Sequence, residues 1–262
     1  MNLDLSHKTA IVCGSTQGIG LAAAQELALM GANITLMARN EHTLQQVLQT
    51  LHHSKNQTHR YIVADFSDKQ DVKTKITQYL TAHPQVHILV NNTGGPKGGP
   101  IIEADLIEFE NAFSQHLLCN QILTQACVPS MKQAQFGRII NIISISVKQP
   151  IMGLGVSNTT RWAVASWAKT LATELGAYGV TVNNVLPGYT ATNRLETLNT
   201  ARAAATNQTV ETIEKELLKQ VPTGRFATAQ EVAAAVAFLA SPAAASINGI
   251  NIPVDGGMAK SL

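Results

Sequence analysis

Short apolar segments of strand length alternate along this chain with longer segments of helical periodicity. The strand-length segments are Thr9–Cys13, Asn33–Met37, Arg60–Ala64, Val86–Val90, Arg138–Ile143, Thr181–Leu186 and Ile250–Val254. Apolar residues three and four positions apart, the pattern of an amphipathic helix, are clearest in Ile19–Leu29 and Ala163–Leu175. Strands that alternate with helices predict a parallel sheet covered by helices on both faces. The expected fold class is therefore α/β, with a doubly wound parallel sheet of about seven strands.

One departure from this alternation is a polar, alanine-containing segment at about 193–220, between the sixth strand-length segment and a helix that begins near Thr228. Long insertions at such a place usually cover a binding site. No Pro/Gly-rich linker, internal repeat or low-complexity tract divides the 262 residues. We therefore expect one domain over residues 1–262, with a substrate loop at about 193–220.

Charged residues are sparse in this chain. They make up 14% of it, whereas soluble proteins have roughly 25%. So little charge suggests that other subunits cover part of the surface. The net charge is +2, without a basic block or an acidic tail, which disfavours nucleic acid and membrane surfaces as partners and favours a small molecule.

The three cysteines, Cys13, Cys119 and Cys127, lie in apolar segments and share no CxxC spacing. Neither a disulfide framework nor a metal site is therefore expected. The N-terminal segment has no apolar core of signal-peptide length, and no run of about 18 apolar residues occurs. We expect a soluble protein of the reducing cytoplasm.

The first strand-length segment leads directly into the sequence CGSTQGIG, residues 13–20, and then into an amphipathic helix. Its glycines are Gly14, Gly18 and Gly20. A diphosphate needs close backbone approach and free N–H groups at a helix N-terminus, and glycine permits the approach because it has no Cβ. A glycine-rich turn without a ligand is the alternative, but the position between strand and helix favours a dinucleotide site.

The end of the second strand-length segment bears on the choice of dinucleotide. Domains that bind NAD(H) usually carry an acidic residue there for the adenosine ribose, whereas a nearby arginine accommodates a 2′-phosphate. This chain has Met37, Ala38 and Arg39 at that place and no acid. NADP(H) is therefore the preferred cofactor and NAD(H) a possible one, since Arg39 can also be a solvated surface residue.

Several motifs, in order along nearly the whole chain, resemble those of the short-chain dehydrogenase/reductase family of Rossmann oxidoreductases. After the glycine motif come Asp65 and then Asn91–Gly94, whose sequence NNTG is similar to the family's NNAG. Pro187–Gly188 with Thr192 resembles the family's PGxxxT element, and Asp255–Gly257 resembles its C-terminal DGG. The resemblance is closest to the 3-oxoacyl-[acyl-carrier-protein] reductase branch.

The resemblance implies which residues hold the cofactor. They are Gly14, Ser15, Gln17, Gly18, Ile19, Gly20, Arg39, Asp65, Phe66, Asn92, Gly94, Arg161, Pro187, Gly188, Thr190 and Thr192. In this assignment Asp65 lies beside the adenine, and Thr192 belongs to the element that contacts the nicotinamide amide. Gln17 stands where many NADP-dependent relatives carry a basic residue.

The catalytic positions depart from the family pattern. Relatives carry a serine after the fifth strand, a tyrosine 13 residues later and a lysine four residues after that, which here are Ser144, Ser157 and Arg161. His116 stands where relatives have a helix-borne asparagine, by a gap-free count. The candidate catalytic residues are therefore Ser144, Ser157, Arg161 and His116, of which only Ser144 keeps the family residue.

These departures affect the supply of a proton. A carbonyl that receives hydride develops negative charge on its oxygen, which needs a hydrogen-bond donor and then a proton. Ser157 and Arg161, four residues apart on a helix, share a face, but serine lacks the reach and acidity of tyrosine and arginine stays protonated. The other candidate donors are His116, with an unperturbed pKa of about 6.5, Lys97 and Lys148. Each has an ordinary alternative, as a core histidine or a solvated lysine.

Three functions follow as hypotheses. The first is an NADP(H)-dependent oxidoreductase that acts on a carbonyl, alcohol or acyl substrate. The second is a catalytically silent dinucleotide-binding protein that serves as a sensor or scaffold, and the third is a chain that has lost cofactor binding. The resemblance also implies that the helices bearing His116 and Arg161 pair with a second subunit, which gives a homodimer or a homotetramer.

Overall fold

Seven parallel strands form the central sheet of the protein, which a computed structural model describes over residues 1–261. In chain order they are β1 (Thr9–Cys13), β2 (Asn33–Ala38), β3 (Arg60–Val63), β4 (Ile88–Asn91), β5 (Gly137–Ile142), β6 (Val180–Pro187) and β9 (Asn251–Val254). Two strands of two residues each, β7 (Thr190–Ala191) and β8 (Ala227–Thr228), pair with each other outside this sheet. All the predicted strands are present, with ends within one or two residues of those expected.

Helices cover the sheet and connect its strands. They are α1 (Gly18–Leu29), α2 (Glu41–Leu48), α3 (Lys69–Ala82), α4 (Leu106–Phe113), α5 (Cys119–Ala134), α6 (Gly155–Leu175), α7 (Asn193–Thr206), α8 (Val210–Leu218) and α9 (Ala229–Ala240). A π-helical turn, Ser114–Leu118, joins α4 to α5. Within residues 1–261, no helix combines the length and the apolar character needed to cross a membrane.

The strand order, β3-β2-β1-β4-β5-β6-β9, places β1 between β2 and β4. The sheet grows in one direction from β1 through β2 and β3, and in the other through β4, β5 and β6. In sheets of this kind, ligands bind outside the carboxyl ends of the strands where the direction reverses. The carboxyl ends of β1 and β4 therefore mark the expected position of the site.

Both faces of the sheet are buried. Ala10 and Val12 of β1 belong to an apolar layer that includes α1 and α9. Ile11 and Cys13, the alternate residues, belong to the layer that includes α3, α5 and α6. Successive side chains of a strand point to opposite faces, so burial on both faces requires a continuous apolar strand. The predicted doubly wound α/β fold is confirmed.

The three cysteines are free thiols buried in the second of these layers. Burial raises the pKa of Cys119 to about 11 and that of Cys127 to about 12, and it raises the pKa of Cys13 as well. All three are therefore neutral at physiological pH. They act as small apolar side chains in the core.

Helix α6 begins at Gly155, eight residues before Ala163, where the clearest helical pattern of the sequence begins. The apolar periodicity of a helix is not evident in the sequence of its first turns, because two buried residues there, Thr160 and Arg161, are polar. Thr160 satisfies its hydroxyl by donating to the Val156 carbonyl oxygen at 2.9 Å. The replaced positions Ser157 and Arg161 therefore lie on one helix, as expected.

The segment predicted as a substrate loop forms the two helices α7 and α8. Ala203, Ile213 and Leu217 pack together there in a small apolar cluster of their own. The helical pattern of α7 is weak in the sequence because it buries only Asn199 and Ala203. Since α7 follows the carboxyl end of β6 through β7, it begins next to the edge where the site is expected.

Candidate active site

Three glycines shape the turn between β1 and α1. Gly14 and Gly18 have φ angles of 57° and 54°, in the left-handed region that favours glycine. A Cβ on Gly20 would lie 2.2 Å from the Gly14 carbonyl oxygen, and one on Gly14 would lie 2.7 Å from that of Asn92. Any larger residue would force this turn open. The close backbone approach that a diphosphate needs is thus built into the turn.

Helix α1 has uncapped N–H groups next to this turn. Its N-cap residue, Gln17, is extended and forms no side-chain capping hydrogen bond. The first N–H groups of a helix lack intrahelical acceptors and favour an anion. Thr192 approaches the same place, because its Cγ2 would lie 3.4 Å from a Cβ on Gly18. The glycine turn and the uncapped helix fit the diphosphate of a dinucleotide.

Ser15 and Asn92 hold the turn in shape. Ser15 is completely buried, and its Oγ accepts a hydrogen bond from the Met37 N–H at 3.0 Å. The Asn92 Nδ2 group donates to the carbonyl oxygens of Cys13 and Gly14, each at 3.3 Å. Ser15, predicted as a cofactor contact, has no exposed surface and supports the site through the position of the turn.

Arg39 and Asp65 lie at the carboxyl ends of β2 and β3, where the adenosine is expected. Arg39 is exposed, and the Asp65 carboxylate accepts a hydrogen bond from the Ser67 N–H at 2.9 Å. That bond and, to a smaller extent, the charge of Arg39 lower the pKa of the Asp65 carboxyl. Phe66 is buried, and its carbonyl oxygen accepts from the Cys119 thiol at 3.6 Å. An exposed arginine at this place is what a 2′-phosphate requires.

The loop after β6 is held against the strand β9. The Gly188 N–H donates to the Val254 carbonyl oxygen at 3.1 Å, and a Cβ on Gly188 would lie 2.8 Å from that of Asp255. Thr190 donates to the Gly188 carbonyl oxygen at 3.2 Å. Thr192 in turn donates to that of Thr190 at 3.3 Å. These contacts fix Thr192 near the N-terminus of α1.

Two serine hydroxyls belong to the predicted catalytic set. Ser144 begins the short turn after β5, and its Oγ accepts a hydrogen bond from the Ser146 N–H at 3.1 Å. The O–H of Ser144 can therefore donate to a substrate oxygen. Ser157, in the first turn of α6, is half-buried and forms no side-chain hydrogen bond with residues 1–261.

Arg161 is a buried cation, with 8% of its surface exposed. Its Nη1 group donates to the carbonyl oxygen of Ile142, the last residue of β5, at 3.1 Å. Burial and, to a smaller extent, the charge of Arg194 lower its pKa to about 10. Arg161 is therefore still protonated at neutral pH. It places a positive charge beside Ile142, the last residue of β5, which is two residues before Ser144 in the chain.

His116 lies in the π-helical turn and is 1% exposed. Its Nδ1 atom is hydrogen-bonded to the Thr93 Oγ1 at 2.6 Å, and its buried Nε2 has no hydrogen-bond partner within residues 1–261. Burial lowers its pKa well below the ordinary value, and the charges of Arg161 and Arg194 lower it further. The imidazole is therefore neutral at neutral pH. This argues against the predicted role of His116 as the proton donor, and the Thr93 contact favours a role in holding the loop after β4.

Arg194 is a site residue that the sequence reasoning missed. It lies in the first turn of α7 and donates from Nη2 to the Pro96 carbonyl oxygen at 2.6 Å. A cation at a helix N-terminus is unfavourable to the helix dipole. The start of α7 is not evident in the sequence, so the only sequence signal for Arg194 is its place two residues after Thr192. Of the predicted lysines, Lys97 is exposed on the loop after β4 and Lys148 is half-buried after β5.

The comparisons with known proteins agree with this geometry. A family model described as Enoyl-(Acyl carrier protein) reductase matches residues 14–259. A 3-oxoacyl-[acyl-carrier-protein] reductase of Haemophilus influenzae is 33% identical over 254 residues, with 97% of this chain and 99% of that protein covered. The chain belongs to the short-chain dehydrogenase/reductase family.

Solved structures of reductases are also similar to this short-chain dehydrogenase/reductase. L-Sorbose reductase from Gluconobacter frateurii, complexed with NADPH and L-sorbose, has a TM-score of 0.92 at 28% identity, with 100% of both chains covered. An NADPH-dependent reductase involved in bacilysin biosynthesis has a TM-score of 0.92 at 27% identity, with 98% and 100% covered.

These findings confirm the predicted family and an oxidoreductase activity. The two similar structures are an NADPH-dependent reductase and a reductase complexed with NADPH, which supports the predicted preference for NADP(H). The hypothesis of a catalytically silent dinucleotide-binding protein receives no support from the relatives. The roles of individual site residues stay predictions.

Proposed function

We propose that this oxidoreductase reduces a ketone carbonyl to an alcohol with NADPH, in the manner of a 3-oxoacyl-[acyl-carrier-protein] reductase. The observation that carries the proposal is the buried guanidinium of Arg161. It donates a hydrogen bond to the carbonyl oxygen of Ile142, two residues before Ser144 in the chain. It supplies a fixed positive charge where a carbonyl oxygen would gain negative charge. The similarity to named reductases supports the same chemistry.

The cofactor would lie across the carboxyl ends of β1, β2 and β4. The residues proposed to hold it are Gly14, Gln17, Gly18, Ile19, Gly20, Arg39, Asp65, Phe66, Asn92, Gly94, Arg161, Pro187, Gly188, Thr190 and Thr192, with Ser15 behind the turn. Gly94 is suited to close contact because a Cβ there would meet nothing within 4 Å. When bound, NADPH supplies the hydride that reduces the carbonyl carbon.

The side chains around the carbonyl would stabilise the charge on its oxygen and hold the neighbouring loop in place. The O–H of Ser144 and an N–H of Arg161 donate to the carbonyl oxygen and stabilise its developing charge. Ser157, four residues before Arg161 on α6, donates a further hydrogen bond to that oxygen, which takes its proton from a solvent water. Neutral His116 keeps the Thr93 loop in place.

A carbonyl panel followed by NADPH absorbance tests the proposal. Wild-type protein should reduce at least one ketone or acyl thioester in the panel. Removing a donor to an oxyanion typically lowers kcat by about 100- to 1,000-fold, and we expect such losses for Ser144→Ala and Arg161→Ala. Ser157→Ala should lower kcat with little change in KM.

Ser166→Ala serves as the matched control, because Ser166 is an exposed serine of the same helix as Ser157. It should retain wild-type turnover. Turnover that survives both Ser144→Ala and Arg161→Ala would contradict the assigned roles. Absence of turnover with every compound, in protein that binds NADPH, would contradict the proposed reduction.

A homodimer or homotetramer of the cytoplasm is part of the same proposal. Trp162 on α6 is 53% exposed and Leu118 before α5 is 41% exposed. Apolar side chains of Val128 and Leu171 also line an open cavity between α5 and α6. Apolar surface exposed on α6 and around α5 supports a subunit contact at these helices. Light scattering should give twice or four times the 28.0 kDa chain mass, and a monomer would contradict this part.

A further inference from the structure

Two arginine side chains converge beside Gly95, in the loop after β4. Arg161 comes from α6 and is held by the Ile142 carbonyl oxygen, while Arg194 comes from α7 and is held by that of Pro96. A Cβ on Gly95 would lie 3.4 Å from the Nη2 of Arg194 and 3.9 Å from the Nη2 of Arg161. The two Nη2 atoms are therefore at most about 7.3 Å apart.

This pair of positive charges has no counter-charge in the described part of the chain. Within residues 1–261 the ion pairs are Lys55–Asp4 and Arg225–Glu231, so neither guanidinium of the site has a carboxylate within 4 Å. Arg161 is buried whereas Arg194 is exposed, and a buried cation is normally paired because an unpaired charge in the interior is costly. An anion from outside the chain would supply the missing charge.

The loop at Gly95 leaves room for such an anion. A side chain at this position would lie against both guanidiniums, and glycine avoids that contact. A small anionic group can therefore approach the backbone here and reach both arginines.

The expected position of the cofactor diphosphate differs from the position of the two arginines at Gly95. Its expected site is the turn Gly14–Gly20 at the end of β1, near Thr192. Arg161 instead binds the last residue of β5, which is separated from β1 by β4 in the sheet. Ser144 is the second residue after the end of β5. Arg161 is thus associated with the proposed position of the reacting carbonyl, and Arg194 lies next to Arg161 at Gly95.

We infer that the substrate is an oxo acid, whose carboxylate binds between Arg161 and Arg194 while its ketone oxygen faces Ser144. This inference rests on the proposed reduction. Charge-assisted N–H···O bonds measure about 2.7–2.9 Å, and two of them, one to each carboxylate oxygen, can bridge the gap between the Nη2 atoms. In the reaction, hydride forms a C–H bond at the carbonyl carbon and the π electrons move to oxygen. That oxygen takes a proton from a solvent water, and the carboxylate leaves unchanged in a hydroxy acid.

Matched acid and ester substrates test the inference. Pyruvate, acetoacetate and levulinate place the ketone at increasing distances from the carboxylate, and each is assayed with NADPH beside its methyl ester. A charged hydrogen bond is typically equivalent to about 10- to 100-fold in affinity, so at least one acid should exceed its ester by that factor in kcat/KM. Arg194→Gln should remove the preference. Arg202→Gln, which changes an exposed arginine of the same helix, should keep it.

NADPH titrations distinguish a substrate role for Arg194 from a cofactor role. The Kd for NADPH should stay within about twofold of wild type in Arg194→Gln. A large rise in that Kd would assign Arg194 to the cofactor phosphates and overturn the inference. Equal kcat/KM for acids and esters would overturn it as well.

Calorimetry separates the inference from a failure of the proposed reduction. If no compound is turned over, the proposed reduction fails, but binding of the same oxo acids to the NADP⁺ complex still decides the carboxylate site. Binding that is lost in Arg194→Gln and kept in Arg202→Gln supports the site. No binding of any oxo acid, or binding that Arg194→Gln leaves unchanged, overturns it.

Discussion

Replacing Arg161 with methionine should leave the cofactor-free protein as stable as wild type, or slightly more stable, while it abolishes carbonyl reduction. Burial and the charge of Arg194 lower the pKa of Arg161 from 12.5 to about 10. At about 1.4 kcal/mol per pKa unit, the folded protein disfavours this cation by about 3 kcal/mol relative to water. Its charged hydrogen bond to the Ile142 carbonyl oxygen offsets about 1.5–3 kcal/mol of that.

Methionine has a flexible apolar side chain and carries no charge. The expected change in the free energy of unfolding therefore lies between zero and a gain of about 1.5 kcal/mol, and the largest gain corresponds to a rise in Tm of roughly 3–6 °C for a chain of this size. A buried arginine with a counter-ion behaves differently, because breaking such a pair costs about 3–5 kcal/mol.

Urea unfolding at pH 7 without cofactor measures this difference, with Arg202→Met as the exposed control on α7. NADPH oxidation with the best ketone from the panel measures the loss of activity. A loss of about 3 kcal/mol or more in Arg161→Met would refute the reasoning, since it would mean that the surroundings already balance the charge.

The remaining predictions concern the cofactor cleft and the buried histidine. Arg39→Glu should lower the ratio of kcat/KM for NADPH over that for NADH by at least about tenfold, because the residue that suits the 2′-phosphate becomes one that repels it; an unchanged ratio in steady-state assays would contradict this. Gly20→Ala places a Cβ 2.2 Å from the Gly14 carbonyl oxygen and should weaken NADPH binding by at least about tenfold in fluorescence titrations. Gly99→Ala, where a Cβ meets nothing within 4 Å, should leave NADPH binding unchanged, and equal effects of the two substitutions would contradict the steric argument. The pKa of His116 is lowered in the folded state, so the unfolded chain binds its proton first and stability is lost as pH falls below about 6.5. The loss in urea unfolding between pH 7.5 and 5.5 should be about 1 kcal/mol smaller in His116→Gln, and equal losses would show that the imidazole does not resist protonation.

The fold and the cofactor half of the site could be predicted because their causes are local in the sequence. Burial on both faces of the sheet produces the continuous apolar strands, which are visible as such. The turn before α1 needs Gly14, Gly18 and Gly20 for backbone reasons that no neighbouring element changes. Arg39 follows directly after β2, so its place at the adenosine end follows from the strand alone.

The catalytic half could be predicted only in part, because its properties depend on contacts between distant segments. Counting from Ser144 located Ser157 and Arg161, but the burial of Arg161 and its contact with Ile142 arise from tertiary packing. The low pKa of His116 has the same origin, and it reverses the expectation that its ordinary pKa suits acid catalysis.

Arg194 shows the limit most clearly. In the sequence it is one basic residue in a polar segment that lacks a strong helical pattern. Only the fold brings α7 against the loop after β4, where Arg194 binds the Pro96 carbonyl oxygen and lies beside Gly95.

Hydride transfer to a carbonyl carbon is tested most directly with NADPH that carries deuterium at the nicotinamide position from which hydride leaves. The label should appear on the carbinol carbon of the alcohol product, by mass spectrometry and NMR, with wild-type protein and with Ser166→Ala. Arg161→Ala should yield almost none of this product. Unlabelled alcohol, or no alcohol from any oxo acid, ester or acyl thioester at saturating NADPH, would contradict the assignment of this chain as a carbonyl reductase.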